Sequence, residues 1–329
     1  MNYSRKDFLQ ASLLSSAGLL QGVNVFGSEA ARRQPRPRSR AKDETGCSIS
    51  IFSKHLQWLD YGEMAKVAAD IGFDGVDLTV RPGGHVLPEH VERDLPAAVK
   101  AVRDEGLEVY MITTTIGDPD EEYAESILKT ASQLGIGHYR TDWFSYDDSI
   151  SVPENLEHFS SKLQRLAAMN SEYDIQGDYQ NHAGTSFGSP IWDLWIVLNE
   201  LDTQWIGCQY DIRHATVEGA NTWQNGLGAI HPHIGTLDIK DFQWVQSEDG
   251  WREQNVPLGE GMVNFQQYLK LLQKYQVQVQ VPISLHYEYE LGGAERGAEI
   301  VETDKKDILE AFRRDLKILD GWLSEAGLN

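Results

Sequence analysis

Cysteine is scarce in this 329-residue chain, which has only Cys47 and Cys208. Two thiols exclude a disulfide-stapled scaffold and a cysteine-rich zinc module, and nothing in their spacing argues for a bridge. Long apolar runs are missing too. The apolar stretch near the start, Ala11–Leu20, falls short of the roughly 20 residues needed to cross a bilayer. No cysteine follows it to carry a lipid, so a stable membrane anchor is not expected. Basic charge is in short supply, with 29 Lys and Arg against 50 Asp and Glu, a formal −21. The shortage is uneven: residues 1–42 hold eight basic and two acidic side chains, which leaves residues 43–329 at −27. A body this acidic repels nucleic acid, so nucleic acid is not expected as a partner. No Walker loop and no Gly-rich turn opens a helix, which removes the common phosphate cradles.

What is present divides into an address and a body. Residues 1–30 combine Arg5-Lys6 with the short apolar run, which reads as a secretory signal of the twin-arginine type with Lys6 in place of the second arginine. The expected destination is the periplasm or another exported location. Residues 31–46, with Gln34-Pro35-Arg36-Pro37-Arg38, read as an extended Arg/Pro-rich linker. From Cys47 to Asn329 the chain alternates short β-branched runs with amphipathic segments. Strands are expected at Ser48–Phe52, Gly75–Thr79, Glu108–Thr114, His138–Asp142, Ile175–Gln180, Ile206–Asp211, Gly235–Lys240 and Val281–His286. Helices are expected between them; that at Glu121–Leu134 shows Tyr123, Ala124, Ile127, Leu128 and Ala131 on one face. Eight strand–helix units predict a (β/α)8 TIM barrel of ordinary length. The first strand ends Phe52-Ser53-Lys54-His55, without the glycine turn expected of an open nucleotide-binding sheet.

In such a barrel the site lies at the C-terminal ends of the strands. Parity along the strands turns Asp238 and Lys240 inward from Leu237 and Ile239, and His286 and Glu288 inward from Ile283 and Leu285. His182, Asp211, His214, Lys240, His286 and Glu288 then line the mouth. Several ionisable groups converging from successive strands point to a ligand or catalytic site, because buried charge is costly unless it is paired or used. His182, His214 and Glu288 are candidate acids and bases, and Lys240 can carry a developing negative oxygen. His55, Arg81, Arg140, Trp143 and Trp244 are candidate substrate contacts, the tryptophans because aromatic faces pack on sugar C–H surfaces. Trp244 belongs to the long stretch Phe242–Gly261, read as a loop that acts as a lid or as a contact in a homo-oligomer.

The stretches Tyr179-Gln180-Asn181-His182-Ala183-Gly184, Gln209-Tyr210-Asp211-Ile212-Arg213-His214, Ile239-Lys240-Asp241-Phe242, Pro257-Leu258-Gly259-Glu260-Gly261 and Pro282-Ile283-Ser284-Leu285-His286 resemble the xylose-isomerase-like sugar isomerase/epimerase barrels. The resemblance covers nearly all of the chain after Gly46. It implies a divalent ion held by Glu, Asp, His and Glu from strands five to eight, positions filled here by Gln180, Asp211, Asp238 and His286. This mixed oxygen and nitrogen set suits Mn or Zn better than Mg or Ca. The implied activity is movement of a proton beside the carbonyl of an unphosphorylated sugar or keto-sugar. Keto-glycoside lyase or dehydratase chemistry, or sugar binding without catalysis, are the alternatives on the same barrel.

Overall fold

The computed structural model describes residues 47–248, 250–277 and 281–328. The expected signal (residues 1–30) and linker (residues 31–46) lie outside the described residues. Eight strands close into a parallel barrel: β1 (Ile49–Phe52), β2 (Gly75–Thr79), β3 (Glu108–Thr113), β4 (His138–Arg140), β5 (Gln176–Gln180), β6 (Ile206–Asp211), β7 (Ile234–Ile239) and β10 (Ile283–Leu285). The strands β8 (Asp241–Ser247) and β9 (Gly250–Val256) form a separate two-stranded sheet. The helices are α1 (Tyr61–Ile71), α2 (Val91–Asp104), α3 (Ala124–Gln133), α4 (Val152–Tyr173), α5 (Ile191–Leu198), α6 (Ile212–Gly219), α7 (Trp223–Ile230), α8 (Phe265–Lys274) and α9 (Lys305–Ala326). None of the described helices is long and apolar enough to cross a membrane.

Each barrel strand is covered on both faces, and its residues sort by parity. Tyr139, Tyr179, Tyr210, Leu237 and Ile239 are buried on the helix side. Leu95, Ala98, Val99 and Val102 of α2 show 0–1% exposure, and burying each larger aliphatic side chain contributes about 1.5–3 kcal/mol. The inward face is polar. Asp77 accepts from Thr113 Oγ1 at 2.9 Å and Ser284 Oγ at 2.7 Å, and His138 Nδ1 lies 2.9 Å from Asp178 Oδ2. Room for Asp178 comes from glycines on the neighbouring strands. A Cβ on Gly207 or Gly235 would lie 2.6 or 2.1 Å from Asp178 Oδ1, closer than any real contact.

Local signals set the helix ends. Asp60 caps α1 by accepting from Glu63 N at 2.8 Å, and Gly72 ends it at φ 108°, a left-handed conformation that glycine adopts without strain. Ser151 and Glu154 form a reciprocal capping box on α4. Three expectations need correction. Tyr123 is not on the buried face of its helix: it stands at the N-cap with φ 71° and 38% exposure. The stretch from Phe242 is not a loop but the β8–β9 hairpin, paired from Asp241↔Val256 to Ser247↔Gly250. Finally, the helix expected after the sixth strand near Thr222–His231 is preceded by α6, which follows β6 directly: Asp211 is its N-cap and accepts from His214 N at 3.1 Å.

Candidate active site at the barrel mouth

The strand register places the polar ends in one layer. Asp211 of β6 pairs across to Asp238 of β7, and Asp238 to Ser284 of β10. Above this layer lies a cavity of about 180 Å³. Arg81, Arg140 and Trp143 reach it from the β2–β4 side of the barrel. Gln180, His182, Lys240, His286 and Glu288 reach it from the β5–β10 side. Asp211, Asp238 and His214 lie at 0–3% exposure and contact these lining residues.

Two expected contacts stand elsewhere. His55 is fully buried in a 3₁₀ turn after β1, where Nδ1 bonds Ala294 O at 3.1 Å and Nε2 accepts from Tyr287 N at 3.0 Å. Both ring nitrogens are spent on backbone, so His55 pins the loop after β10 and is not among the residues lining the cavity. Trp244, 37% exposed on β8, is not part of the cavity lining. Phe52 and Lys54 line the cavity instead and were missed. Strand parity was the available signal, since Lys54 stands two residues beyond the inward Phe52.

Charges in the site form an alternating chain. Lys54 Nζ is 3.1 Å from Glu288 Oε1, Glu288 Oε2 is 3.3 Å from Lys240 Nζ, and Lys240 Nζ is 3.1 Å from Asp211 Oδ2. Burial opposes the charge on Lys240, but Asp211, Glu288 and Asp238 outweigh it and raise its pKa. Burial likewise opposes the Glu288 carboxylate, but the Lys240 and Lys54 ammonium groups hold its pKa well below the usual range. Gln180 Nε2 donates to Asp211 Oδ2 at 3.0 Å and to Asp238 Oδ2 at 2.5 Å. Burial, then the neighbouring Asp211 charge, pushes the Asp238 carboxyl well up, against the pull of Lys240.

Burial disfavours the charged form of all three histidines. Burial lowers His182, and Lys240 adds to the effect. Its Nδ1 bonds Ala183 O at 2.9 Å, which makes Nδ1 the donor and leaves the Nε2 lone pair free. Burial lowers His286 to about 4; its Nε2 is 3.1 Å from Ser284 Oγ and its ring stacks on Phe52 at 4.5 Å. Burial also holds His214 well below its ordinary value, helped by Lys240. Arg213 Nη1 lies 3.1 Å from His214 Nδ1, and the His214 ring packs 3.9 Å from that of His182. The hairpin reaches this layer through Asn255, which accepts from Arg213 Nε at 3.1 Å and donates to Glu288 O at 3.3 Å.

Residues 65–308 match the sequence profile of the xylose isomerase-like TIM barrel. The chain belongs to that family. No curated protein matches it in sequence. Among solved structures it is similar to a xylose isomerase domain protein from Planctomyces limnophilus (16% identity, 85% of this chain and 99% of that one, TM-score 0.61). It is also similar to a probable 3-DHS dehydratase from Bacillus anthracis (16%, 83% and 98%, 0.61). A third similar structure is a 3-keto-D-glucoside 4-epimerase from E. coli (14%, 84% and 99%, 0.62). At these identities the likeness establishes the fold.

The divalent ion implied by the family does not fit the residues present. Gln180 turns its NH₂ group, not a lone pair, toward both Asp211 and Asp238. Flipping the amide would aim its oxygen at two carboxyls. Asp211 already spends Oδ1 on the α6 cap and Oδ2 on Gln180 and Lys240. The Lys240 ammonium, 3.1 Å from Asp211 Oδ2, already supplies positive charge at these carboxylates. Among the described residues no group of three or more His, Cys, Asp or Glu side chains is arranged to hold a metal.

Proposed function

We propose that this chain is a sugar isomerase or epimerase that moves a proton beside a carbonyl and uses Lys240 in the role of a divalent cation. The observation that carries the reading is the Lys240 ammonium, locked between Asp211 and Glu288 in one cavity with His182 and His286. A carbonyl oxygen bound at Lys240 is polarised, and the negative charge that develops on it as the neighbouring C–H bond breaks is met by an ammonium already in place. His182 Nε2 takes the proton as general base. For isomerisation His182 gives the proton to the former carbonyl carbon while the hydroxyl proton passes between the two oxygens; for epimerisation a solvent proton relayed through His286 adds to the other face and His182 releases the one it took to solvent. His286 supplies the second proton carrier, with its Nε2 3.5 Å from Asp238 Oδ1.

Elimination of water is a second reading, favoured by Asp238. Oδ2 accepts from Gln180 and Oδ1 lies 3.5 Å from His286 Nε2, so a proton taken up at Oδ1 would reach a departing hydroxyl through His286. The test is incubation of the full chain in D₂O with a panel of ketoses, aldoses and keto-sugars, read by NMR and mass. Deuterium entry beside the carbonyl supports the reading, and loss of one water in the product selects elimination. No exchange with any member of the panel would overturn both. Export of the chain belongs to the proposal as well, supported by Arg5-Lys6 and the short apolar run Ala11–Leu20. Recovery of an unshortened chain from the cytoplasm alone would count against it.

A further inference from the structure

Four cationic side chains line the cavity, Lys54, Arg81, Arg140 and Lys240, against the single carboxylate of Glu288. The two lysines are accounted for, since Lys54, Glu288, Lys240 and Asp211 alternate in sign and leave no excess. The two arginines feel Asp77 and Asp142 only at longer range. Among the described residues, neither guanidinium has a carboxylate within 4.0 Å. Asp77 spends both oxygens on Thr113 and Ser284, and Asp142 lines the adjoining cavity instead. Arg140 is only 4% exposed, its Nη1 makes a long 3.4 Å bond to Gln180 Oε1, and its Nε has no partner. A buried, unpaired guanidinium is costly unless something pairs with it.

The arginines are also posed alike. Arg140 lies over the Trp143 ring at 4.4 Å and Arg81 over the Phe52 ring at 5.6 Å. A guanidinium over an aromatic ring can still turn its N–H edge to a planar carboxylate, and Arg140 Nε is without a partner. In a chain whose body carries −27, two arginines without a carboxylate at ion-pair distance thus face into one cavity. We infer that the substrate is a sugar acid whose carboxylate is held by Arg81 and Arg140 while its carbonyl end lies toward Lys240. A phosphate is the poorer match, since phosphate sites rely on backbone N–H groups of glycine turns and helix starts. No glycine is among the residues lining this cavity.

The inference rests on the sugar-site reading of the cavity, and its test separates the two. The full chain is titrated calorimetrically with glucuronate, galacturonate and their keto isomers, with the matching neutral sugars, and with glucose 6-phosphate and inorganic phosphate. At least one sugar acid is expected to bind tenfold or more tightly than its neutral counterpart, with the margin shrinking as salt rises. Arg81→Gln is expected to remove the margin and Arg81→Lys to restore part of it. The comparison within the unaltered chain stands even where a variant folds poorly. Equal binding of neutral sugars, tighter binding of the phosphates, or no binding of any sugar acid would each overturn the inference. Deuterium exchange on the same samples reads the reaction separately. Exchange into neutral sugars without preference overturns the sugar acid and keeps the chemistry, whereas tight acid binding without exchange does the reverse.

Discussion

Lys240 Nζ lies 3.1 Å from Asp211 Oδ2, and this pair is the pivot of the site. The lysine is 4% exposed and the aspartate 0%. It joins the acidic layer of β6 and β7 to Glu288 beyond β10, so one ammonium satisfies two buried or half-buried carboxylates. Lys240→Met keeps the length of the side chain and removes the charge. It is expected to destabilise the chain by about 3–5 kcal/mol, because Asp211 is left buried beside Asp238 without a counter-ion. The rate of proton exchange on the folded fraction is expected to drop by about 10²–10³, the usual effect of losing a group that meets a developing oxyanion. Thermal unfolding and exchange measured on the same samples check both, and an active Lys240→Met would remove this lysine from the chemistry.

Because Gln180 and Lys240 already occupy the acidic residues that would otherwise ligate an ion, chelation is expected to change nothing. The full chain treated with EDTA should keep its unfolding midpoint and its exchange rate, and added Mn or Zn should raise neither. Elemental analysis of the untreated protein should find far less than one ion per chain. A metal-dependent rate would show that Gln180 and Lys240 swing away from Asp211 in the working enzyme.

The pH behaviour follows from the buried histidines. Burial lowers His85 and His286 to about 4 in the folded chain, against about 6.5 when unfolded. Between these values the unfolded chain binds the extra protons, so the stability these groups contribute is whole above pH 6.5 and is lost as pH falls toward 4. His55 and His214 act with the same sign. Burial raises Asp77 and Asp193 to about 6; they act in the opposite sense, since the folded chain is the one that takes up their protons as pH falls through 6. Asp178, Asp238, Asp241 and Asp315 are raised as well and add to that opposing sense, so the histidine share is read against His85→Gln: relative to this variant, the parent's unfolding midpoint is expected to drop between pH 6.5 and 4.5. Exchange activity should hold at neutral pH and fall on the acid side as His182 and His286 gain protons. Calorimetry and a pH–rate profile test the two separately, and a parent that gained on the variant over that range would reverse the assignment.

Most of the barrel was legible because outward apolar and inward polar residues alternate, as in Leu237, Asp238, Ile239 and Lys240. The parity that located those strand ends also turned Lys240, His286 and Glu288 toward the mouth. The hairpin was not legible because β9 has no apolar face: Trp251, Arg252, Glu253 and Gln254 are all exposed. Its anchor is instead the Asp241 carboxylate, which accepts from the backbone N–H groups of Phe242, Gly259, Gly261 and Val263. The Asp249-Gly250 dipeptide was the one local signal for its turn. The metal expectation followed from residue types at aligned positions, and types do not show which end of an amide faces a carboxylate. That orientation at Gln180 decides the donor set.

His55 gives the clearest separation of fold from chemistry. It lies close to the site, with its ring 6.2 Å from that of His286, yet it bonds only to Ala294 O and Tyr287 N. The 3₁₀ turn Ser53–Leu56 rotates it away from the mouth while Lys54 keeps the inward direction of β1. His55→Ala leaves a buried carbonyl and a buried N–H without partners and opens a ring-sized void. The expected cost is about 2–5 kcal/mol of stability. On the folded fraction, sugar binding and the exchange rate should stay within about threefold of the parent, since no ring nitrogen of His55 is free to donate or accept a proton. Lys240→Met should show the converse pattern, with a rate loss that outlasts any correction for unfolded protein. If His55→Ala instead abolished exchange in well-folded protein, the ring would have to reach the substrate by a rearrangement of the loop after β10.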